Sequence, residues 1–132
     1  MKPPVLLCYQ LQAEKARLIH LLAMRLMIRV RTVLPEEFGQ TLAALCGYEP
    51  LAETTAAGQA FSDEMLVLGN FPQELITRFL MGFRQSKIAP VALKAVLTET
   101  NMRWNSYTLR SQLAAERDAI AAGTSADHPV ST

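Results

Sequence analysis

A chain of 132 residues, 50% of them hydrophobic and 19% charged, is long enough to bury a core without metal or disulfides, and its composition excludes a disordered protein. Its two cysteines, Cys8 and Cys46, lack the CxxC spacing of a zinc or redox site, so we expect buried thiols in a reducing compartment. No segment has the length and apolar character of a membrane span, and the N-terminal segment does not resemble a signal peptide, so a cytoplasmic protein without membrane contact is expected.

The first half of the chain, residues 4–47, predicts alternating strands and helices. Its expected elements are a strand at 5–9, a helix at 13–27, a strand at 28–34 and a helix at 35–46. The first strand is continuously apolar, as expected when both of its faces are covered. The second strand alternates in character and places Arg29 and Arg31 on one side, which is typical of an edge strand. Pro35 fits the first position of the second helix.

An acidic connector, residues 48–62, is followed by the same order of elements in residues 64–122. These are a strand at 65–68, a helix at 72–85, a strand at 91–97 and a helix at about 106–122. The first of these strands is again apolar throughout, and the second carries Lys94 in alternation. We therefore predict one α/β domain made of two related halves, followed by a disordered tail at 123–132.

This alternation predicts a four-stranded sheet in the order 2-1-3-4, with the apolar strands in the centre and helices packed on the sheet. The direction of the central strand pair is left open. A parallel pair would give a flavodoxin-like sandwich with a ligand site at the carboxyl ends of the strands, whereas an antiparallel pair would relate the halves by a pseudo-two-fold axis. We take the parallel pair as the working expectation. The helical spacing also predicts buried residues in each helix, including Leu109, Leu113 and Ile120 in the last.

Charge is distributed unevenly along the chain, although the net charge is only +1. Residues 1–34 carry six basic side chains and one acid, whereas residues 35–64 carry six acids and no base. A nucleic-acid-binding surface would draw on the basic residues Arg17, Arg25, Arg29 and Arg31. The near-neutral total and the few aromatic residues argue against that surface and favour a solvated or self-associating one.

The sequence contains no recognisable catalytic constellation. It has no glycine-rich nucleotide loop, no aspartate follows the first strand of either half, and the two histidines, His20 and His128, have no spaced partner. His20 also falls outside the core stripe of its helix, which indicates a solvent-facing side chain. We expect no metal and no cofactor, and we favour a non-enzymatic protein.

A polar loop in the second half provides the candidate ligand site. Arg103 and Asn101 could grip an anion or an amide while Trp104 forms a wall, or the same residues could form a self-satisfied loop with Trp104 covering the end of the sheet. The pattern favours the second interpretation. The candidate ligand-binding residues are Asn70, Thr98, Thr100, Asn101, Arg103 and Trp104.

Leu21, Met24 and Met81 fall outside the core stripes of their helices and lie beside arginines in the helical pattern. Apolar side chains at such positions could form an adaptable contact surface, so we expect them at the interface of a homodimer or of a complex with another protein.

The second half resembles an uncharacterised bacterial family known only as a domain of unknown function, of βα-repeat type. The resemblance covers residues 64–120 and depends on the segments 65–71, 74–76 and 93–98 together with Thr100, Asn101 and Trp104. It implies a small bacterial cytoplasmic protein and no particular activity. The function favoured by the sequence is therefore a small binding or regulatory module acting through protein association. The alternative is a ligand-binding protein or minor enzyme with a polar site at the carboxyl ends of strands 3 and 4.

Overall fold

A computed structural model describes residues 2–122. In chain order the elements are β1 (Val5–Tyr9), α1 (Ala13–Arg25), β2 (Arg29–Thr32), a 3-10 turn (Pro35–Glu37), α2 (Leu42–Leu45), β3 (Met65–Gly69), α3 (Gln73–Gln85), β4 (Leu93–Val96), a second 3-10 turn (Asn101–Arg103) and α4 (Ser106–Ala121). The expected tail at 123–132 lies outside the described residues.

The four strands form one mixed sheet in the order β2-β1-β3-β4, which confirms the predicted order and the α/β class. β1 pairs with β2 in parallel, and β3 pairs with β4 in parallel. The charged strands are the edges: Arg29 and Lys94 are exposed, and Arg31 is half-buried. The apolar strands occupy the centre because both of their faces are covered by protein.

The expectation of a parallel central pair is wrong, because β1 and β3 run antiparallel, with Val5 opposite Gly69 and Tyr9 opposite Met65. The carboxyl ends of β1 and β3 therefore lie at opposite ends of the sheet. A ligand site shared by the residues that follow both strands, as in a flavodoxin-like sandwich, is excluded by this geometry.

The sheet separates two apolar layers. On one face, Leu6, Cys8, Leu66 and Leu68 pack against α1 and α3, with Phe79 at the centre of the layer. On the other face, the alternate residues of the same strands pack against α2, α4 and Phe38. The two layers follow from the period of a strand, in which successive side chains point to opposite faces. Both cysteines are buried free thiols, as expected.

The two halves make left-handed turns at corresponding places. Gln10 follows β1 with φ 56° and Asn70 follows β3 with φ 63°, while Met27 follows α1 with φ 60° and Lys87 follows α3 with φ 55°. After each helix the backbone closes a Schellman motif. Ile28 N–H donates to the carbonyl of Ala23 at 2.8 Å after α1, and an equivalent bond closes the end of α3. Both helices therefore end at a left-handed residue that is not glycine, Met27 after α1 and Lys87 after α3.

Several predicted helix residues lie elsewhere than expected. The predicted helix at 35–46 is a 3-10 turn and a single helical turn, because Thr41 is extended and its hydroxyl accepts from Ala44 N–H to begin α2.

Ile120 was expected in the core and is 51% exposed, because the C-terminal part of α4 extends past the packed layer.

The acidic connector packs against the face that carries α2 and α4. Phe61 stacks on Phe38 with ring centroids 4.6 Å apart, and Gln40 exchanges two hydrogen bonds with the backbone of Ala52. At Gly58 an added Cβ would lie 2.4 Å from the Tyr107 ring. The connector is therefore held close to the core by side chains from both halves.

The two acids that follow the connector, Asp63 and Glu64, form ion pairs. Lys15 Nζ binds Glu64, and it also donates to the carbonyl of Pro90 at 2.7 Å, so one lysine joins α1, the residue before β3 and the segment before β4. Partial burial opposes ionisation of Glu64, but hydrogen bonds from Lys15 and from Gln12 N–H outweigh that effect and lower the pKa of its carboxyl. The uneven charge along the sequence is thus partly neutralised inside the fold.

Asp63 forms ion pairs with two arginines of α4. Arg110 Nε donates to Asp63 Oδ1 at 3.0 Å, and Arg117 lies 3.8 Å from the other carboxylate oxygen. Burial raises the pKa of Asp63, but the arginine hydrogen bond, the carboxylate's bond to its own backbone N–H and the two positive charges together lower it. As a carboxylate, Glu64 therefore links the two halves through Lys15, whereas Asp63 ties the segment before β3 to α4.

Candidate functional site

The residues predicted to form an interface lie on the outer surface of α1 and α3. Leu21 and Met81 are each 46% exposed, and Met24 is 72% exposed. All three belong to the helices that cover one face of the sheet, with their buried neighbours Ile19 and Phe79 facing inwards. The helical period thus separates the apolar residues of each helix into an inner and an outer set.

Met27 adds to this surface and was missed by the sequence analysis, which placed it inside the helix. It occupies the left-handed position that ends α1, and its side chain is 86% exposed. We call the exposed residues Leu21, Met24, Met27 and Met81 the methionine surface.

A shallow groove of about 360 Å³ runs between α1 and α3. It exists because Gly82 lets the helices approach closely: an added Cβ at Gly82 would lie 2.5 Å from Leu22 Cδ1. Arg25 crosses the groove to donate to the hydroxyl of Ser86 at 3.2 Å. The groove is lined by Leu22, Arg25, Leu26, Arg78, Met81, Gly82 and Gln85. Its walls are apolar with basic ends, and it adjoins the methionine surface.

The polar loop at 98–104 is closed mainly by its own hydrogen bonds. Asn101 is buried, its Oδ1 accepts from Thr98 N–H at 2.8 Å, and its Nδ2 donates to the carbonyl of Val96 at 3.0 Å. The Thr98 hydroxyl in turn accepts from Asn101 N–H at 3.0 Å. The reciprocal bonds between Thr98 and Asn101 have the pattern of a capping box, and the bond to Val96 covers an outward carbonyl of the edge strand β4.

The remaining ligand candidates are placed separately. Trp104 packs against the layer under α2 and α4, and its carbonyl accepts from Leu42 N–H at 2.8 Å. Arg103 and Thr100 are exposed. Asn70 bonds instead with the Tyr48 hydroxyl and with the carbonyl of Pro3, at the N-terminal end of β1. The structure therefore brings Thr98 and Asn101 together and ties Asn70 to the connector and the N-terminal segment.

A second cleft, of about 330 Å³, lies between α3 and the edge strand β4, near the carboxyl ends of β3 and β4. Its floor is apolar, and Lys94 Nζ lies 5.8 Å above the centroid of the Phe83 ring at its rim. The lining residues are Leu68, Ile76, Leu80, Phe83, Arg84, Lys94, Ala95 and Val96. An apolar cavity with two cations suits a small amphiphile that carries a negative charge.

Buried groups that could act as nucleophiles are held in their neutral forms. Burial raises the pKa of Cys8 to about 12 and that of Cys46 to about 11, the latter despite the opposing charge of Arg31. His20 is exposed, as expected. Within residues 2–122, no group of three His, Cys, Asp or Glu side chains is placed to hold a metal ion, and no helix there could cross a bilayer.

Comparison with known proteins finds a similarity to one family, confined to the second half of the chain. A family model described as a domain of unknown function (DUF3783) matches residues 64–120. The match includes β3, α3, β4, the second 3-10 turn and nearly all of α4, and it supports the resemblance to an uncharacterised family. No curated protein and no solved structure matches the chain. The comparisons therefore show a partial similarity to one uncharacterised family and do not name an activity.

Proposed function

We propose that this protein is a non-enzymatic binding or regulatory module that acts through protein association, as a homodimer formed by the methionine surface. The observation that carries the proposal is the exposure of four apolar side chains on α1, just after α1 and on α3, of which Met81 also lines the groove between these helices. Flexible methionines adapt to a partner surface, and an apolar cluster with a charged rim is typical of an interface.

A two-fold dimer suits this surface because the same patch can serve both subunits. The same proposal includes a bacterial, cytoplasmic protein built as one domain of two duplicated halves, 4–47 and 64–122. The matching left-handed turns and the family resemblance support it.

The test compares Met24→Glu with Ile120→Glu by sedimentation velocity over a dilution series. Met24→Glu buries an unpaired carboxylate in the proposed interface, so we expect the dimer dissociation constant to rise by about tenfold or more. Ile120 lies on α4, across the sheet, and is similarly exposed, so Ile120→Glu should sediment as the natural protein does. A natural protein that is monomeric up to its solubility limit, or equal effects of both variants, would contradict the proposal.

A second candidate function, binding of a small anionic amphiphile, is favoured by the cleft between α3 and β4. Octanoate below its micellar concentration should raise the melting temperature, because a ligand of the folded form stabilises it, whereas the uncharged octanol should raise it less. Lys94→Gln removes a rim cation, so the octanoate shift should shrink. Loss of the shift in Arg103→Gln, with Lys94→Gln unaffected, would instead favour a polar site at the loop 98–104. No shift with octanoate counts against both locations.

A further inference from the structure

A third cleft opens at the other edge of the sheet, where the N-terminal end of β1 and the edge strand β2 meet α2. It has a volume of about 420 Å³. Its lining residues are Lys2, Pro3, Val5, Arg29, Val30, Arg31, Ala44, Leu45, Cys46 and Gly47. Three cations thus surround a cavity whose other walls are mainly small apolar side chains and backbone.

The cations in this cleft come together for separate reasons. Arg29 and Arg31 are two residues apart on β2, opposite Val5 and Leu7 of β1, so both side chains leave the same face of the sheet. Lys2 is placed by its hydrogen bond to the carbonyl of Gly47, 2.6 Å away, just past the end of α2. A cation is favourable there, because the carbonyls at a helix C-terminus carry partial negative charge.

Only one acidic side chain among the described contacts offsets these charges. Glu37 accepts from Arg31 Nη2 at 2.7 Å. The Cys46 thiol adds no negative charge, since burial raises its pKa to about 11. Three cations and one carboxylate leave two positive charges in excess, which matches the charge of a phosphate monoester near neutral pH.

Arg31 also has an unused donor. Its Nε is buried and has no hydrogen-bond partner among residues 2–122. A buried N–H without an acceptor is unusual and destabilising, and a site that binds an anion is one setting in which such a donor is expected. Arginine favours phosphate oxygens because its guanidinium can donate two parallel hydrogen bonds.

We propose that this cleft binds the phosphate group of a small organic phosphate monoester. Arg29 and Arg31 bind the phosphate oxygens, Lys2 supplies a third positive charge, and the apolar walls formed by Val5, Val30 and Leu45 contact the organic part. The cavity is several times larger than a phosphate ion needs, which is why the ligand is an ester. The site lies on the face of the sheet opposite the methionine surface, so it is independent of the proposed dimer.

The test is isothermal titration calorimetry of the full chain with phenyl phosphate, with inorganic phosphate and phenol as comparison probes. Phenyl phosphate should bind with one site per chain, inorganic phosphate more weakly, and phenol not measurably. The affinity should fall as salt is raised, because the interaction is between charges at a cleft open to solvent. Equal affinity for inorganic phosphate would overturn the ester assignment, and absence of binding by phenyl phosphate would overturn the site.

Three variants locate the binding. Arg29→Gln and Arg31→Gln should each weaken phenyl phosphate binding by about tenfold or more, since each removes a charged hydrogen bond. Arg29 is exposed, so its variant keeps the proposal testable even if the loss of the Arg31–Glu37 pair lowers stability. Arg17→Gln, on α1 and paired with Glu14, should bind as the natural protein does. Unchanged binding in Arg29→Gln, or an equal loss in Arg17→Gln, would place the anion elsewhere.

Discussion

Phe79→Ala is expected to lower the free energy of unfolding by about 3–5 kcal/mol, the range for removing a fully buried aromatic side chain. Phe79 is inaccessible to solvent and lies in the layer between the sheet and the helices α1 and α3. Its ring contacts those of Phe71 and Phe83, each with centroids 5.8 Å apart. Truncation would therefore leave a cavity in the layer that positions the methionine surface.

Urea denaturation measures this effect, with the midpoint expected to fall and the m-value to stay unchanged. Ile120→Ala is the matched control, because it removes an apolar side chain that is 51% exposed. The control should stay within about 0.5 kcal/mol of the natural protein, as exposed substitutions usually do. A loss below about 1 kcal/mol in Phe79→Ala would contradict the tight packing of this layer.

The order of the strands could be predicted from sequence because charge placement depends on solvent. Val5–Tyr9 and Met65–Gly69 carry no charge, so they suit only the centre, whereas Arg29 and Lys94 need an open edge. The direction of the central pair could not be predicted. Two apolar strands present apolar faces to both layers whether they run parallel or antiparallel, so the side-chain pattern is the same in both arrangements.

The boundaries of the helices were less predictable than the order of the strands. Phe38, Leu42 and Leu45 have helical spacing and were expected on one continuous helix, but the chain between them turns away and re-enters a helix at Thr41. Thr41 also pairs with Asn105 in an isolated antiparallel bridge, a contact between the two halves. Long-range bonds of this kind leave no local pattern, so tertiary contacts override the helical signal.

The candidate sites also differ in how far they could be predicted from the sequence. The exposure of Met24 followed from its position in the helical period, whereas that of Met27 depends on a left-handed backbone turn that most sequences leave to glycine. The polar loop was recognised by composition, and the hydrogen bonds of Asn101 agree with a structured turn. The basic cleft could not be predicted, because it joins Lys2 to Gly47, 45 residues away.

Tyr9 and Ser106 are expected to form the most strongly coupled polar pair in the core. Both side chains are inaccessible to solvent, their hydroxyl oxygens lie 2.7 Å apart, and they join β1 to the first turn of α4 across 97 residues. Burial raises the pKa of the Tyr9 phenol above its usual value despite the hydrogen bond to Ser106, so the phenol stays protonated. The pair therefore acts as a neutral hydrogen bond between the two halves.

Tyr9→Phe and Ser106→Ala should each lower the free energy of unfolding by about 1–3 kcal/mol, because each leaves one buried hydroxyl without its partner. The double variant leaves neither hydroxyl unpaired, so its loss should be smaller than the sum of the single losses by about 0.5–3 kcal/mol. Urea denaturation of the four proteins measures this coupling. Additive losses would mean that each hydroxyl is stabilised independently of the other, and would contradict the direct contact between β1 and α4 on which the joining of the two halves depends.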